Sequence, residues 1–270
     1  MKPRYGLVGQ PVAHSRSPAI HRAFAAQRGR ELEFSLLECA PEALATTITD
    51  FFAAGGRGLN VTLPHKGPVM DLCAELSEDA RSAGAVNTLV PRGADIAGFN
   101  TDGRGLVADL ERLGIAVTGR RIAVLGAGGA ARGILRPLLE LGPGELVWSN
   151  RSPWKVQEQE ADFATFGPLR ACTHIALKGD RFDLIINATS AGHRGTTPWL
   201  PHRPFTEGGV AYDLSYGAAA GPFLAWAEAE GAAARHDGFG MLIEQAALAF
   251  FLWTGETPDT APLHATLNRG

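Results

Sequence analysis

A lysine and an aspartate close two short stretches of this chain, Asn60-Val61-Thr62-Leu63-Pro64-His65-Lys66 and Asn100-Thr101-Asp102-Gly103. Each stretch follows an apolar run, so each charged group is delivered at a strand end. A lysine in such a place can give and take a proton, and a carboxylate beside it can orient it. Lys66 can also form a Schiff base with a ketone or be a surface lysine, and Asp102 can be a helix cap. Soon after comes a glycine-rich stretch, Val124-Leu125-Gly126-Ala127-Gly128-Gly129-Ala130-Ala131. A Schiff base is redundant beside a nicotinamide, so proton transfer coupled to hydride transfer is the favoured chemistry. That is the equipment of a dehydrogenase.

The glycine-rich stretch follows the apolar run Arg121–Leu125 and opens a helical pattern. Gly126, Gly128 and Ala131 have the G-x-G-x-x-G/A spacing of a dinucleotide loop, whose backbone approaches a pyrophosphate at the helix N-terminus. A bare βα turn can also be glycine-rich; the flanking strand and helix favour cofactor binding. At the end of the next strand, an NAD enzyme places an acid for the ribose 2′-hydroxyl. This chain has Asn150, Arg151, Ser152 and Lys155 instead, which can donate hydrogen bonds and positive charge to a 2′-phosphate. NADP is therefore the expected cofactor, against the alternative of a solvated Arg and Lys at a helix start.

Small polar residues supply a third set. Ser15 and Ser17 enter a helix at His14-Ser15-Arg16-Ser17-Pro18 and suit a carboxylate, although Ser17 alone reads equally well as an N-cap before proline. Asn60, Thr62 and Asn87 lie at strand ends and fit a polyhydroxylated ligand, each being ordinary turn chemistry when taken singly. Thr189 ends a further strand, where a nicotinamide ribose can be met. Gln245 is polar within an apolar helix and is a candidate ligand contact. The histidines show no metal-ligand grouping, and no metal is expected; His65 reads as structural.

The elements that must position these groups alternate strands with helices, the pattern of an α/β protein. Early strands are expected at Arg4–Gly9, Glu33–Leu37, Gly58–Val61, Asn87–Val90 and Ile96–Phe99. Helices are expected near Pro18–Arg28, Pro41–Ala54, Ser77–Ala83 and Asp102–Leu113. A second series of strands is expected at Arg121–Leu125, Glu145–Ser149, Asp183–Asn187 and Val210–Asp213, with helices at Gly129–Leu141 and Gly240–Thr254. With 270 residues the chain accommodates two domains with a cleft between them. The expected division is a substrate-binding domain of residues 1–101 joined by the C-terminal helical segment 238–270, and a Rossmann dinucleotide-binding domain of residues 102–237. A net charge of −3 gives no argument for nucleic acid or an anionic membrane as partner. Cys39, Cys73 and Cys172 are few, odd in number and far apart, as in buried reduced thiols. With no apolar leader and no apolar run of membrane-span length, a cytoplasmic location is expected.

Taken in order, these motifs resemble the shikimate dehydrogenase family across nearly the whole chain. The likeness is carried by Tyr5-Gly-Leu-Val-Gly-Gln-Pro11, His14–Pro18, Asn60–Lys66, Gly84-Ala-Val-Asn-Thr88 and Asn100–Gly103. It continues through Gly126–Ala131, Asn150–Ser152, Asn187–Gly192, Tyr212-Asp-Leu-Ser-Tyr216 and Asp237–Gln245. The resemblance implies NADPH-dependent reversible reduction of 3-dehydroshikimate to shikimate, on the route to chorismate and the aromatic amino acids. It implies that Ser15, Ser17 and Tyr216 hold the substrate's carboxylate side near Thr62. Asn87, Asp102, Lys66 and Gln245 would meet the ring oxygens. Gly126, Ala127, Gly128, Gly129, Ala130, Asn150, Arg151, Ser152, Lys155, Thr189, Leu214 and Gly238 would line the cofactor. A homodimer is an expectation of the same kind. The chain departs from the family at Gly217–Gly221, where Gly221 replaces a frequent threonine. Two rivals remain: a quinate/shikimate dehydrogenase using NAD, and a silent nucleotide or shikimate sensor. Arg151 and its neighbours argue against the first, and the Lys66 and Asp102 couple against the second.

Overall fold

The computed structural model describes residues 2–267; Met1 and residues 268–270, which the expected domain ranges include, lie outside the described residues. The first elements are β1 (Arg4–Gly9), α1 (Ser17–Ala26), β2 (Glu33–Glu38), α2 (Leu44–Ala53) and β3 (Gly56–Val61). Next come β4 (Glu75–Leu76), α3 (Glu78–Ala83), β5 (Thr88–Arg92), β6 (Asp95–Phe99) and α4 (Asp102–Arg112). They are followed by β7 (Arg121–Leu125), α5 (Gly129–Glu140), β8 (Glu145–Asn150), α6 (Trp154–Gln157), α7 (Glu160–Ala164) and β9 (Leu169–Thr173). The last are β10 (Phe182–Asn187), β11 (Phe205–Asp213), α8 (Gly221–Ala229), β12 (Ala234–His236), α9 (Phe239–Thr254) and α10 (Ala261–Leu267). The chain forms two compact units, Met1–Gly105 with Leu242–Gly270, and Leu106–Met241.

The first unit is built on a sheet of order β2-β1-β3-β5-β6-β4. β1 is parallel to both neighbours, and its run Tyr5–Gly9 is wholly buried, as a central strand covered on both faces must be. Val8, Leu59 and Val61 pack with Ile48 and Phe51 of α2 in one buried cluster. A second, aromatic cluster forms around His21 of α1. Its ring stacks on Phe34 at 4.8 Å and lies 4.9 Å from Trp253 of α9, with Phe24 and Phe250 beyond. Trp253 in turn stacks on Tyr5 at 5.0 Å and donates its indole N–H to the Leu89 carbonyl at 3.1 Å. The apolar face of α9 is thereby occupied within this unit.

The second unit holds an all-parallel sheet of order β12-β11-β10-β7-β8-β9. That is the strand order of a dinucleotide-binding sheet, in which the order reverses between the first and fourth strands, here β7 and β10. Side chains alternate between the faces. Ile122, Val124, Leu146, Trp148, Leu184 and Ile186 pack with Ile134, Leu135 and Leu138 of α5. Ala123, Leu125, Val147 and Ile185 pack with Phe223 and Ala227 of α8. At the opposite end of the strands from the glycine loop, Arg121 and Arg170 each pair with both Glu145 and Asp180, closing a ring of four charges. The plain loop that departs from the family is a short turn, and Gly221 begins α8 without a side-chain cap.

Candidate active site

The turn after β3 carries Lys66, and buried groups fix that turn. His65 is fully buried and its Nε2 meets the Cys39 carbonyl at 2.9 Å, which makes it structural. The Val86 N–H donates to the Lys66 carbonyl at 2.7 Å, so the backbone of the lysine is held independently of its side chain. From there Lys66 Nζ donates to Asp102 Oδ2 at 2.6 Å. Asp102 is the first residue of α4, but its carboxylate does not cap that helix. Its other oxygen accepts from Asn87 Nδ2 at 2.8 Å, and its N–H is met by Asn100 Oδ1 at 3.0 Å. Gln245 of α9 completes the group: its Oε1 lies 3.4 Å from both Asn87 Nδ2 and Thr101 Oγ1. The Lys66 and Asp102 side chains are 22% and 9% exposed, dry enough for the charges to act strongly and open enough for a ligand to reach the amine.

The other expected substrate residues fall into four groups. Ser15 donates to the Ser17 hydroxyl at 3.2 Å and accepts the Ser17 N–H at the same distance. Arg16, not Ser17, is the N-cap of α1, so the capping role open to Ser17 is not taken. Thr62 is anchored by its N–H to the Val8 carbonyl at 2.9 Å. Asn60 differs from expectation. Its Oδ1 meets His21 Nε2 at 3.2 Å and its Nδ2 donates to the Asn87 carbonyl and to Thr88 Oγ1, so its amide is spent inside the sheet. Tyr216 belongs to the second unit, where its ring packs edge-on to Phe239.

In the second unit the glycine loop is shaped for an anion. Gly126 has φ +110°, and a Cβ there would lie 2.9 Å from the Ala188 carbonyl oxygen, so only glycine fits. Gly128 is the N-cap of α5; no side chain caps the helix, and the space a Cβ would fill is open. The first N–H groups of α5 therefore face outward without a side-chain partner, as pyrophosphate binding requires. From below, the buried Trp148 donates its indole N–H to the Gly126 carbonyl at 2.6 Å. Trp148→Phe leaves that carbonyl unpaired. We expect a loss of about 1–3 kcal/mol in stability by urea titration, and weaker dinucleotide binding. An unaltered urea midpoint contradicts the assignment.

A pocket of about 740 Å³ adjoins the loop, lined by Asn150, Arg151, His174, Lys178, Thr189 and Arg194 among others, with Trp199 and Ile175 as its large apolar members. No carboxylate is among its lining residues, whereas three are cations. His174 adds no charge: burial, with Arg151 nearby, pushes its pKa down to about 4. Thr189 is oriented by Asn187, whose Oδ1 accepts both its N–H and its hydroxyl, at 3.1 and 2.8 Å. Asn187 in turn donates to the buried Asp213, whose pKa burial pushes up to about 6. Ser152, Lys155, Leu214 and Gly238 do not line this pocket. Gly238 packs so closely on the Leu214 carbonyl that a Cβ would come within 2.2 Å of it. Lys178, Arg194 and Trp199 were not singled out from sequence, being isolated residues in loops. Among the described residues no cluster of His, Cys, Asp or Glu can hold a metal ion, and no helix is long and apolar enough to cross a membrane.

Two family descriptions match the chain: "Shikimate dehydrogenase substrate binding domain" over residues 7–89 and "Shikimate 5'-dehydrogenase C-terminal domain" over residues 238–267. A shikimate dehydrogenase (NADP(+)) of Nitrosospira multiformis is 46% identical over 264 residues, covering 97% of this chain and 96% of that one. An Ael1 enzyme from Pseudomonas putida superposes with a TM-score of 0.92 at 38% identity, over 98% of both chains. Shikimate 5-dehydrogenase from Thermus thermophilus, in complex with NADP(H) and shikimate, does so with a TM-score of 0.84 at 34% identity, over 99% of both.

Proposed function

The chain belongs to the shikimate dehydrogenase family, and from that premise we propose how its residues carry out the reversible NADPH-dependent reduction of 3-dehydroshikimate to shikimate. The observation that carries the reading is the 2.6 Å contact of Lys66 Nζ with Asp102, itself held by Asn87. When bound, NADPH supplies the hydride. Negative charge then develops on the substrate's carbonyl oxygen, and Lys66 gives that oxygen a proton. In the oxidative direction the neutral amine takes the hydroxyl proton. Asp102 orients the amine and accepts from a substrate hydroxyl, and Asn87 and Gln245 bind the neighbouring ring oxygens. Ser15, Ser17 and Thr62, all of the N-terminal unit, take the carboxylate side. Asn60 is assigned a positioning role, since its amide is already engaged.

The N-terminal unit is the substrate-binding domain of this proposal, and the unit Leu106–Met241 the NADP-binding domain. The donor set fits NADP: open helix N–H groups for the pyrophosphate, and a pocket with three cations and no acid for the 2′-phosphate. Asn150 and Arg151, which line that pocket, take the 2′-phosphate, with Ser152 and Lys155 beside them in sequence but outside its lining, and Gly126 to Ala130, Thr189, Leu214 and Gly238 take the remainder. Arg151→Ala removes a charge-assisted contact, which corresponds to a rise of about 10- to 100-fold in the KM for NADP. The KM for NAD is expected to change far less. An equal change for both cofactors contradicts the 2′-phosphate role. Cytoplasmic residence and a homodimer belong to the same proposal, the second read by light scattering.

The reaction is tested by following the NADPH absorbance band with shikimate and then quinate, each with NADP and NAD. Turnover is expected with shikimate and NADP, and lower turnover in the other three combinations. Absence of turnover with shikimate and NADP overturns the reading.

A further inference from the structure

We propose that His21, Asn60 and Thr88 form a positioning relay that sets the orientation of Asn87 and, through it, of the Lys66 and Asp102 pair. The proposal rests on the catalytic reading above. The relay is a single line of hydrogen bonds, and its direction can be read from its ends. Asn60 Nδ2 donates to the Asn87 carbonyl at 3.3 Å and to Thr88 Oγ1 at 3.2 Å, so the oxygen of that amide faces His21. His21 Nε2, 3.2 Å from Asn60 Oδ1, therefore carries the ring proton, and its Nδ1 is buried without a partner. Thr88 Oγ1 accepts from Asn60, which leaves its one hydrogen for Asn87 Oδ1 at 2.9 Å. Asn87 Oδ1 also accepts the Thr101 N–H at 2.9 Å. With its oxygen so occupied, Asn87 turns its nitrogen to Asp102 Oδ1 at 2.8 Å, and Oδ2 is presented to Lys66.

Every link donates in the same sense, from His21 toward Asp102, and Lys66 meets Asp102 from the other side. Reversing the Asn87 amide would place its oxygen against the Asp102 carboxylate. All members from His21 to Asp102 are buried, so water cannot substitute for a missing partner. None of the three is placed to touch substrate; they act through Asn87. A buried polar network that serves folding alone would also be satisfied, but it would not couple to turnover.

Thr88→Val keeps the shape of the side chain and removes its hydrogen. We expect kcat for shikimate oxidation to fall by roughly 5- to 30-fold, the worth of one misaligned buried hydrogen bond. The dissociation constant for NADP should stay within about twofold, the KM for shikimate should rise by less than kcat falls, since Asn87 also meets a ring oxygen, and Thr88→Ser should restore kcat. His21→Phe keeps the ring stack and cuts the line four bonds from Asp102, and should lower kcat in the same direction but less. An unchanged kcat in either folded variant, or a rise in KM in place of a fall in kcat, overturns the relay. A wild-type enzyme that does not turn over shikimate overturns the catalytic reading instead, which separates the two failures.

Discussion

Lys66→Ala lowers the turnover of shikimate by about 10²- to 10⁴-fold while NADP binding persists, the range expected for removal of a positioned proton donor. The substitution is clean because the lysine's backbone is held by Val86 and the turn by His65, neither of which depends on the side chain. Asp102 keeps its bond from Asn87, so the carboxylate retains one of its two partners. Lys66→Arg is the sharper comparison. Arginine preserves the positive charge and can pair with Asp102, but it stays protonated and cannot accept the hydroxyl proton in the oxidative direction. Both variants should therefore be slow in oxidation. The measurement is steady-state kinetics in both directions, with calorimetric titration of NADP as the control. Turnover that survives in Lys66→Ala removes the lysine from the mechanism.

Acid destabilises the folded chain through His21, by on the order of 2 kcal/mol at about pH 5 and roughly 4–5 kcal/mol at the limit. Burial pushes the pKa of this histidine down to about 3, the bond to Asn60 opposing the shift only in part. In the unfolded chain it titrates near the ordinary value of about 6.5. Between those values the unfolded chain holds an extra proton, so stability rises with pH and is lost as pH falls below about 6.5. The surroundings explain the size of the effect: Phe24, Phe34, Phe250 and Trp253 ring the imidazole, and its Nδ1 has no acceptor to receive a proton's bond. His174, pushed down to about 4, acts with the same sign. Asp213, pushed up to about 6, acts with the opposite sign, because there the folded state holds the extra proton. Urea midpoints of the wild type and His21→Gln at several pH values isolate the histidine. Equal pH slopes in the two proteins rule out the effect.

The long elements could be read from sequence because their burial is uniform. The strands Arg4–Gly9 and Arg121–Leu125 sit inside sheets, where after the leading arginine every residue is buried and apolar or small, and their bounds match the structure. The three strands that sequence did not reveal, β4, β9 and β12, are all at sheet edges. An edge strand has one partner and a half-solvated surface, so Leu169-Arg-Ala-Cys-Thr173 and Ala234-Arg-His236 show no sustained apolar pattern. At the site, residue types near strand ends pointed to Lys66, Asp102 and Asn87. The direction of a side chain was harder: Asn60 has the composition of a ligand contact, and only the three-dimensional position of His21 and Thr88 shows its amide to be engaged. Lys178 and Arg194 are lone cations in loops, and only the fold brings them to one pocket with Arg151.

The placement of the tryptophans has an optical consequence. Trp253 is the single tryptophan of the first unit, stacked on Tyr5 and close to His21, while Trp148, Trp154, Trp199 and Trp226 all belong to the second. Trp148 is the fully buried one of that set, its indole bonded under the glycine loop. Each unit thus carries its own intrinsic fluorophore with a distinct environment. Two variants, one keeping only Trp253 and one keeping only Trp148, turn emission into a separate clock for each half of the molecule. Coincident transitions would mark the chain as one cooperative folding unit, and separated ones would mark it as two.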